Sequence, residues 1–448
     1  MKPNYETLHT WEFYASDILI EYCQSIEEGL DIEEYKELFE VVSKLPKNET
    51  KKLLGDVLFE IVKNAKTKKN YKYNEPSELE EIKALRKPYP LKKKELSESE
   101  LYDKISGAWL GRICGCFLGK PVEGVRTNEL VPFLKETGNY PMHRYIFKSD
   151  AKESICKNYK FPFYGRCYNE DIGGMPVDDD TNYMVLSNII VEKYGRDFTP
   201  FDVSRAWLEF QKKDAYCTAE RVAFCNFIKG FAPPESAKFQ NPYREWIGAQ
   251  IRGDYFGYIN PQNPELAAEM AWRDASISHI KNGIYGEMFA SAMTASAATT
   301  DDMQDIILSG LAQIPETSRL YEDIMAVVES KKNGVSCEDC FAMIHKKYDE
   351  YSSHGWCHTI SNAMIVAASL LYGEGDYGRS ICLAVQTGFD TDCNGATVGS
   401  VIGMAKGAHA IDPYWTAPIA DTLNTSIFGV GTVKISDMVK KTIQHIEK

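Results

Sequence analysis

The sequence predicts an all-α fold on three observations. Apolar residues recur at helical spacing, several apolar stretches are long enough for helices, and there is no convincing series of alternating strands or hairpin turns. In chain order, residues 1–64 carry helical patterning, as in Leu38, Phe39, Val41, Val42 and Leu45, interleaved with Glu and Lys. Residues 66–100 are rich in Lys, Glu, Asn and Pro, with Pro88 and Pro90 near the end, and read as a linker or loosely packed connection. The main body then starts near Ser97. This divides the chain into an N-terminal helical extension and linker (1–97) and a main domain (98–448). Leu101, Ile105, Ala108 and Trp109 fall at i, i+4, i+7 and i+8 of one helix, and Met184, Ile189 and Val191 belong to another, closed by Gly195. Residues 284–299, 359–373 and 394–411 are Ala-rich, Gly-rich or apolar and predict further helices.

A chain of 448 residues, 44% hydrophobic and 26% charged, is ordinary for a globular protein with a large core. A formal net charge of −13 argues against general nucleic-acid binding, which needs a basic surface. Met1 to Cys23 lacks the pattern of a signal peptide, and no apolar run predicts a membrane span. Twelve cysteines in such a chain read as reduced thiols of a cytoplasmic protein. Cys337 and Cys340 form a C-x-x-C with no second pair, an ordinary thiol pair rather than a zinc or redox site.

Gly107, Gly111, Gly115 and Gly119 are spaced by four, and so are Gly395, Gly399, Gly403 and Gly407. Each set marks one helix face. Glycine inside a helix costs about 0.5–1 kcal/mol relative to alanine, so close backbone approach to another helix or a ligand must compensate. Arg112, Lys120 and Lys406 interrupt the stripes and argue against a membrane dimer face.

Two acidic clusters stand just before helical runs. Asp178-Asp179-Asp180-Thr181 precedes the run from Asn182. One carboxylate suffices to cap a helix, whereas three adjacent ones repel each other unless a hard cation such as Mg²⁺ relieves them. Capping and metal binding both stay open for this cluster. The second is Gly388-Phe389-Asp390-Thr391-Asp392-Cys393-Asn394-Gly395. It copies the opening of an EF-hand loop, but Val401 occupies the position that requires a bidentate Glu. An Asx-rich turn or a second group of metal ligands remains. Glu123 sits in the Pro- and Gly-framed turn Gly119-Lys120-Pro121-Val122-Glu123-Gly124 that ends the first glycine stripe.

In this order, the three pieces resemble the ADP-ribosylglycohydrolase family: a glycine-striped helix ending in Gly-x-Pro-x-Glu, a small polar residue followed by Asp-Asp-Thr, and Gly-x-Asp-Thr-Asp leading into a Gly- and Ala-rich helix. The resemblance covers roughly residues 100–412. It implies a compact orthogonal multi-helix bundle of that family's type, with the N-terminal region as an extension. It implies a magnesium centre of one or two ions (Mn²⁺ is an alternative) held by Asp179, Asp180, Asp390 and Asp392, with Asp178 joining through its place in the motif. It puts Glu123 on the substrate side and makes Glu123, Asp179, Asp180 and Asp392 the expected catalytic set. More loosely, His279 and the segment from Gly248 to Asp254 stand where the family contacts its ligand, so His279, Gly248 and Asp178 are expected to bind substrate. The family usually has Thr after its Asp-Thr-Asp, where this chain has Cys393, a soft ligand that suits Mg²⁺ poorly. Cys116 stands where an Asp is common. His354 and His358 are spaced i, i+4, and His358 reads as a packed or capping residue.

The implied activity is that of a glycosidase: hydrolysis of an N- or O-glycosidic bond of ribose, most naturally removing ADP-ribose from a protein or small-molecule acceptor. Such a reaction builds oxocarbenium character on the sugar, which neighbouring carboxylates favour. The aromatics of Phe161-Pro162-Phe163-Tyr164 and Tyr168 are candidates to stack on adenine, although core packing is their commoner fate. A hydrolase of another riboside or nucleoside-like metabolite is the alternative enzyme. A catalytically silent ligand-binding or structural protein on the same scaffold is the alternative of another class. A two-metal phosphohydrolase is a weaker reading, since neither acidic motif contains a His.

Overall fold

The computed structural model describes residues 3–447. Among them lie twenty-two α-helices, interspersed with short 3₁₀ turns, and one antiparallel ribbon pairing Thr422–Asn424 with Thr432–Lys434. The all-α expectation holds. The main body opens with Glu98–Gly119, whose start at Ser97 is fixed by a capping box with Glu100. Asp179–Tyr194 ends at Gly195 in a positive-φ conformation, and Lys281–Ala297 and Thr359–Gly373 cover the first two predicted apolar stretches, while Thr391–Lys406 stops before the predicted end at 411, at Gly407 with positive φ. No helix among the described residues is long and apolar enough to cross a membrane.

The two glycine stripes meet each other. Glu98–Gly119 and Thr391–Lys406 run antiparallel. A Cβ on Gly107, Gly111 or Gly115 would collide with the carbonyl oxygen of Gly403, Gly399 or Gly395 respectively, and the reciprocal additions collide as well. This backbone contact is what the helical glycines allow. At its end, Gly119 abuts the backbone of Thr391 and Asp392, and Thr391 Oγ1 donates to the Gly119 carbonyl at 3.0 Å. The register therefore carries the Lys120–Glu123 turn to the second acidic motif. Trp109 lies fully buried behind the pair and donates to Thr442.

The N-terminal region has a small core of its own, built from Ile18, Ile32, Phe39, Val42, Leu58 and Val62. The stretch read as a loose linker is instead strapped onto the body. Ile82 is fully buried, Glu75 pairs with Arg319 at 2.9 Å, and Trp272 Nε1 donates to the Ser77 carbonyl at 2.8 Å. Its polar composition hides these few buried contacts, a carboxylate facing a guanidinium among them.

Candidate active site

Seven stretches of the chain converge on one cavity of about 120 Å³. Its lining includes Glu123, Asp179, Asp390 and Asp392, joined by Glu220, Gly248, Ile251, Cys217, Cys357, Cys393, Trp356 and Trp11. The two acidic motifs, more than two hundred positions apart in sequence, thus share one space. The donor atoms of Asp180, Asp392 and Cys393 lie within 4.8 Å of one another, as do those of Cys116, Asp178 and Asp180.

The acids do not play one role. Asp178 is the N-cap of Asp179–Tyr194: Oδ1 accepts from Asp180 N at 2.9 Å, and Oδ2 pairs with Lys120 Nζ at 2.5 Å. Both of its oxygens are engaged within the protein. Asp180 is fully buried, with Oδ1 3.0 Å from Arg112 and Oδ2 accepting from Cys393 Sγ at 3.3 Å. Arg112 also pairs with Asp254 at 2.7 Å. Asp390 is the N-cap of Thr391–Lys406, yet its carboxylate makes no capping bond. It accepts from Cys357 Sγ at 3.6 Å, while its own N–H donates to Asn362. Glu123, Asp179, Asp390 and Asp392 have no cationic side chain at ion-pair distance among the described residues.

That imbalance shows in their acidity. Glu123 opens onto the cavity, but the protein crowded around it, followed by the Asp390, Asp179 and Asp178 charges, pushes its carboxyl up to about 8. Burial and the neighbouring Asp178 raise Asp179 to about 6, even against Lys120. Asp392 is pushed well above the usual carboxylate range by burial and by the Glu123, Asp390 and Asp178 charges. With no cation, protons must relieve the crowding.

This donor set fits a hard divalent ion, which prefers carboxylate oxygens. Asp179, Asp390 and Asp392 line the cavity and could hold it together with Asp180, whose donor atom lies within 4.8 Å of that of Asp392. Burial and the Asp180 charge push the Cys393 thiol well above its ordinary range, so it serves Asp180 as a hydrogen-bond donor rather than as a thiolate ligand. A third cluster, Glu27, His354 and His358, has ligand-like spacing but the wrong tautomers. Trp246 Nε1 donates to His354 Nδ1 at 3.3 Å and Ile360 N donates to His358 Nδ1 at 3.2 Å. With Nδ1 accepting, each ring's proton sits on Nε2, facing Glu27, and leaves no lone pair there. His358 caps Thr359–Gly373, as its sequence setting suggested.

The structure places His279 apart from the acidic cavity. It is fully buried, bonds Ser278 Oγ through Nδ1 at 2.8 Å, and lines a separate cavity with Ser77, Pro234 and Trp272. The buried Arg252 network holds Ser278, and His279 beside it, behind the acidic cavity rather than in it. Gly248 does line the acidic cavity, where a Cβ would run into the Glu220 carboxylate. Phe163 and Tyr168 are core residues, with Phe163 stacked on Phe133 at 3.9 Å, and Tyr164 is exposed. Sequence reasoning missed Glu220, which in the first turn of Thr218–Ile228 looks like an ordinary helix-start acid. Its Oε1 lies 3.3 Å from Arg252, its Oε2 has no partner, and burial raises it to about 7. Trp11, Trp356, Cys217 and Cys357 were missed too, since no local pattern marks them.

Residues 97–445 match the family model described as ADP-ribosylglycohydrolase. No curated protein matches the chain. Among solved structures, a chain titled as part of an ADP-ribosylglycohydrolase-related protein complex is similar at 15% identity. The match covers 78% of this chain and 99% of that one, with a TM-score of 0.45.

Proposed function

This chain belongs to the ADP-ribosylglycohydrolase family, and from that premise we propose that it is a magnesium-dependent hydrolase that removes ADP-ribose from a protein or small-molecule acceptor. The observation that carries the reading is the sorting of the acids. Asp178 pairs with Lys120 and Asp180 shares Arg112 with Asp254, while Glu123, Asp179, Asp390 and Asp392 face one cavity without a cation of the protein's own.

A divalent ion bound by Asp179, Asp180, Asp390 and Asp392 would supply a fixed positive charge to grip vicinal ribose hydroxyls. The remaining work belongs to the chain. The carboxylates favour the positive charge that develops at the anomeric carbon as the glycosidic bond breaks. Glu123, raised to about 8 and open to the cavity, exchanges the proton that passes between water and the leaving group. Lys120 keeps Asp178 fixed at the helix start, so Asp179 is aimed into the cavity. Glu220, buried at the cavity wall with one free oxygen, is a candidate to accept from a sugar hydroxyl.

The test is Mg²⁺-stimulated release of ADP-ribose by the full chain and by Asp179→Asn and Asp392→Asn. Each variant is expected to lose about 10³-fold in rate. Mg²⁺ should also stop raising the melting temperature of the variants, a readout independent of turnover. Full activity in both overturns the metal-centre reading. Stabilisation of the full chain by ADP-ribose with no turnover would favour a silent binding protein instead.

A further inference from the structure

The acidic cavity has a second side to which the chain before the family-matched region contributes. Trp11 lies in the 3₁₀ turn Thr10–Glu12, and it lines the same cavity as Glu123, Asp179, Asp390 and Asp392. The family match begins only at residue 97. Trp11 is not a stray surface ring. Glu12, the next residue, pairs with Lys213 at 2.8 Å and reaches Arg221 at 3.5 Å. The Arg221 guanidinium sits 5.1 Å from the Trp11 ring centre and is itself pinned by bonds to the Tyr216 and Asp214 carbonyls. From the other end of the turn, the His9 ring accepts from Trp11 N and packs 4.5 Å from the indole. The seat is built from both ends.

Trp356, also in the lining, is arranged similarly, with the Arg126 guanidinium 4.6 Å from its ring centre. Neither Trp11 nor Trp356 spends its indole N–H on a protein acceptor among the described residues. The cavity is thus two-sided: carboxylates suited to a cation and a sugar, and two tryptophans backed by arginines. A sugar and its cation need only the first side. A large aromatic wall with a free N–H is chemistry for a flat heteroaromatic ring, which gains by contact with an apolar π surface.

We propose that Trp11 is a substrate-contacting specificity residue, and that the N-terminal extension completes the active site by presenting it to the base of a nucleotide-linked ribose. This rests on the proposed function and adds to it. The extension selects for a substrate that carries a base, not for the ribosyl group alone, and the region after residue 97 by itself is an incomplete site.

The experiment uses the full chain with saturating Mg²⁺. Binding of ADP-ribose and of ribose 5-phosphate is measured by calorimetry for wild type, Trp11→Ala and Trp11→Phe. Trp11→Ala is expected to weaken ADP-ribose by about tenfold or more while leaving ribose 5-phosphate unchanged, with Trp11→Phe recovering most of the loss. The melting-temperature rise caused by Mg²⁺ should be the same in all three, which separates a lost contact from a damaged fold. Unchanged ADP-ribose affinity in Trp11→Ala overturns the inference and leaves the proposed function standing. Equal weakening of both ligands also overturns it, since the indole would then not meet the base. Failure of the wild-type protein to bind ADP-ribose at all removes both readings together.

Discussion

Two of the buried carboxylate groups in this molecule are handled in opposite ways. At the seam between the N-terminal extension and the body, Arg244 pairs with Glu21 at 2.8 Å and with Glu28 at 2.7 Å. Lys281 pairs with Glu28 at 2.7 Å, and Arg319 pairs with Glu75 and Glu245. Burial opposes ionisation there, but the cations win. Arg244 and Lys281 hold Glu28 below its usual range, Arg319 does the same to Glu245, and the ring N–H groups of His354 and His358, with Arg319, bring Glu27 to about 2. In the cavity burial wins, and like charges add to it. A carboxylate cluster that serves the fold comes with its own cations. One that awaits a ligand is left short of them.

Neutralising one acid in each group should break the symmetry most sharply. Glu245→Gln leaves Arg319 and His358 facing a neutral amide and is expected to cost about 3–5 kcal/mol in urea unfolding. Asp392→Asn should instead raise the melting temperature of the metal-free protein, because it removes a repulsion. Equal destabilisation by the two would erase the distinction.

Next in size is the helix pair that brings the cavity's acids together. Gly111→Ala drives a methyl into the Gly399 carbonyl. A loss of about 1–3 kcal/mol is expected, accompanied by weaker Mg²⁺ stabilisation. The seam's ion pairs should be untouched, so loss of stability with an intact Mg²⁺ response would show that the register does not govern the site.

The two groups should also differ in pH dependence. In the cavity, Asp179 at about 6 and Glu123 at about 8 bind protons more tightly folded than unfolded. Their contribution is fully present below the ordinary carboxylate range and is lost as pH rises through 6 and 8. For Glu27 the direction reverses: its contribution is present above the ordinary value and is lost as pH falls toward 2. Melting curves with a chelator should therefore decline from pH 5 to 8 and flatten when Mg²⁺ is added. A chelated protein that grows more stable over that interval contradicts the charge imbalance.

Much of the frame was legible in the chain. The spacing of Leu101, Ile105, Ala108 and Trp109 marked the first body helix, and the capping residues at Ser97 and Gly195 bounded two elements. The glycine stripes announced close approach, but not that they approach each other. Asp178 and Asp390 look alike in sequence, each just before a helix. Only one of them caps with its side chain. His279 stands beside Ser278, but Arg252 draws that pair into another part of the interior.

What the sequence determined alone is therefore local: helical class, the faces that carry glycine, and the two acidic helix starts. These are consequences of a 3.6-residue period and of the valence of nearby side chains. What only the tertiary structure decided is pairing at a distance. It matched Lys120 and Arg112 to two of the acids, left the others unpaired, and brought Trp11 across from before the strap. The charge state of a buried carboxylate depends on whatever packing sets beside it, and no spacing along the chain records that neighbour.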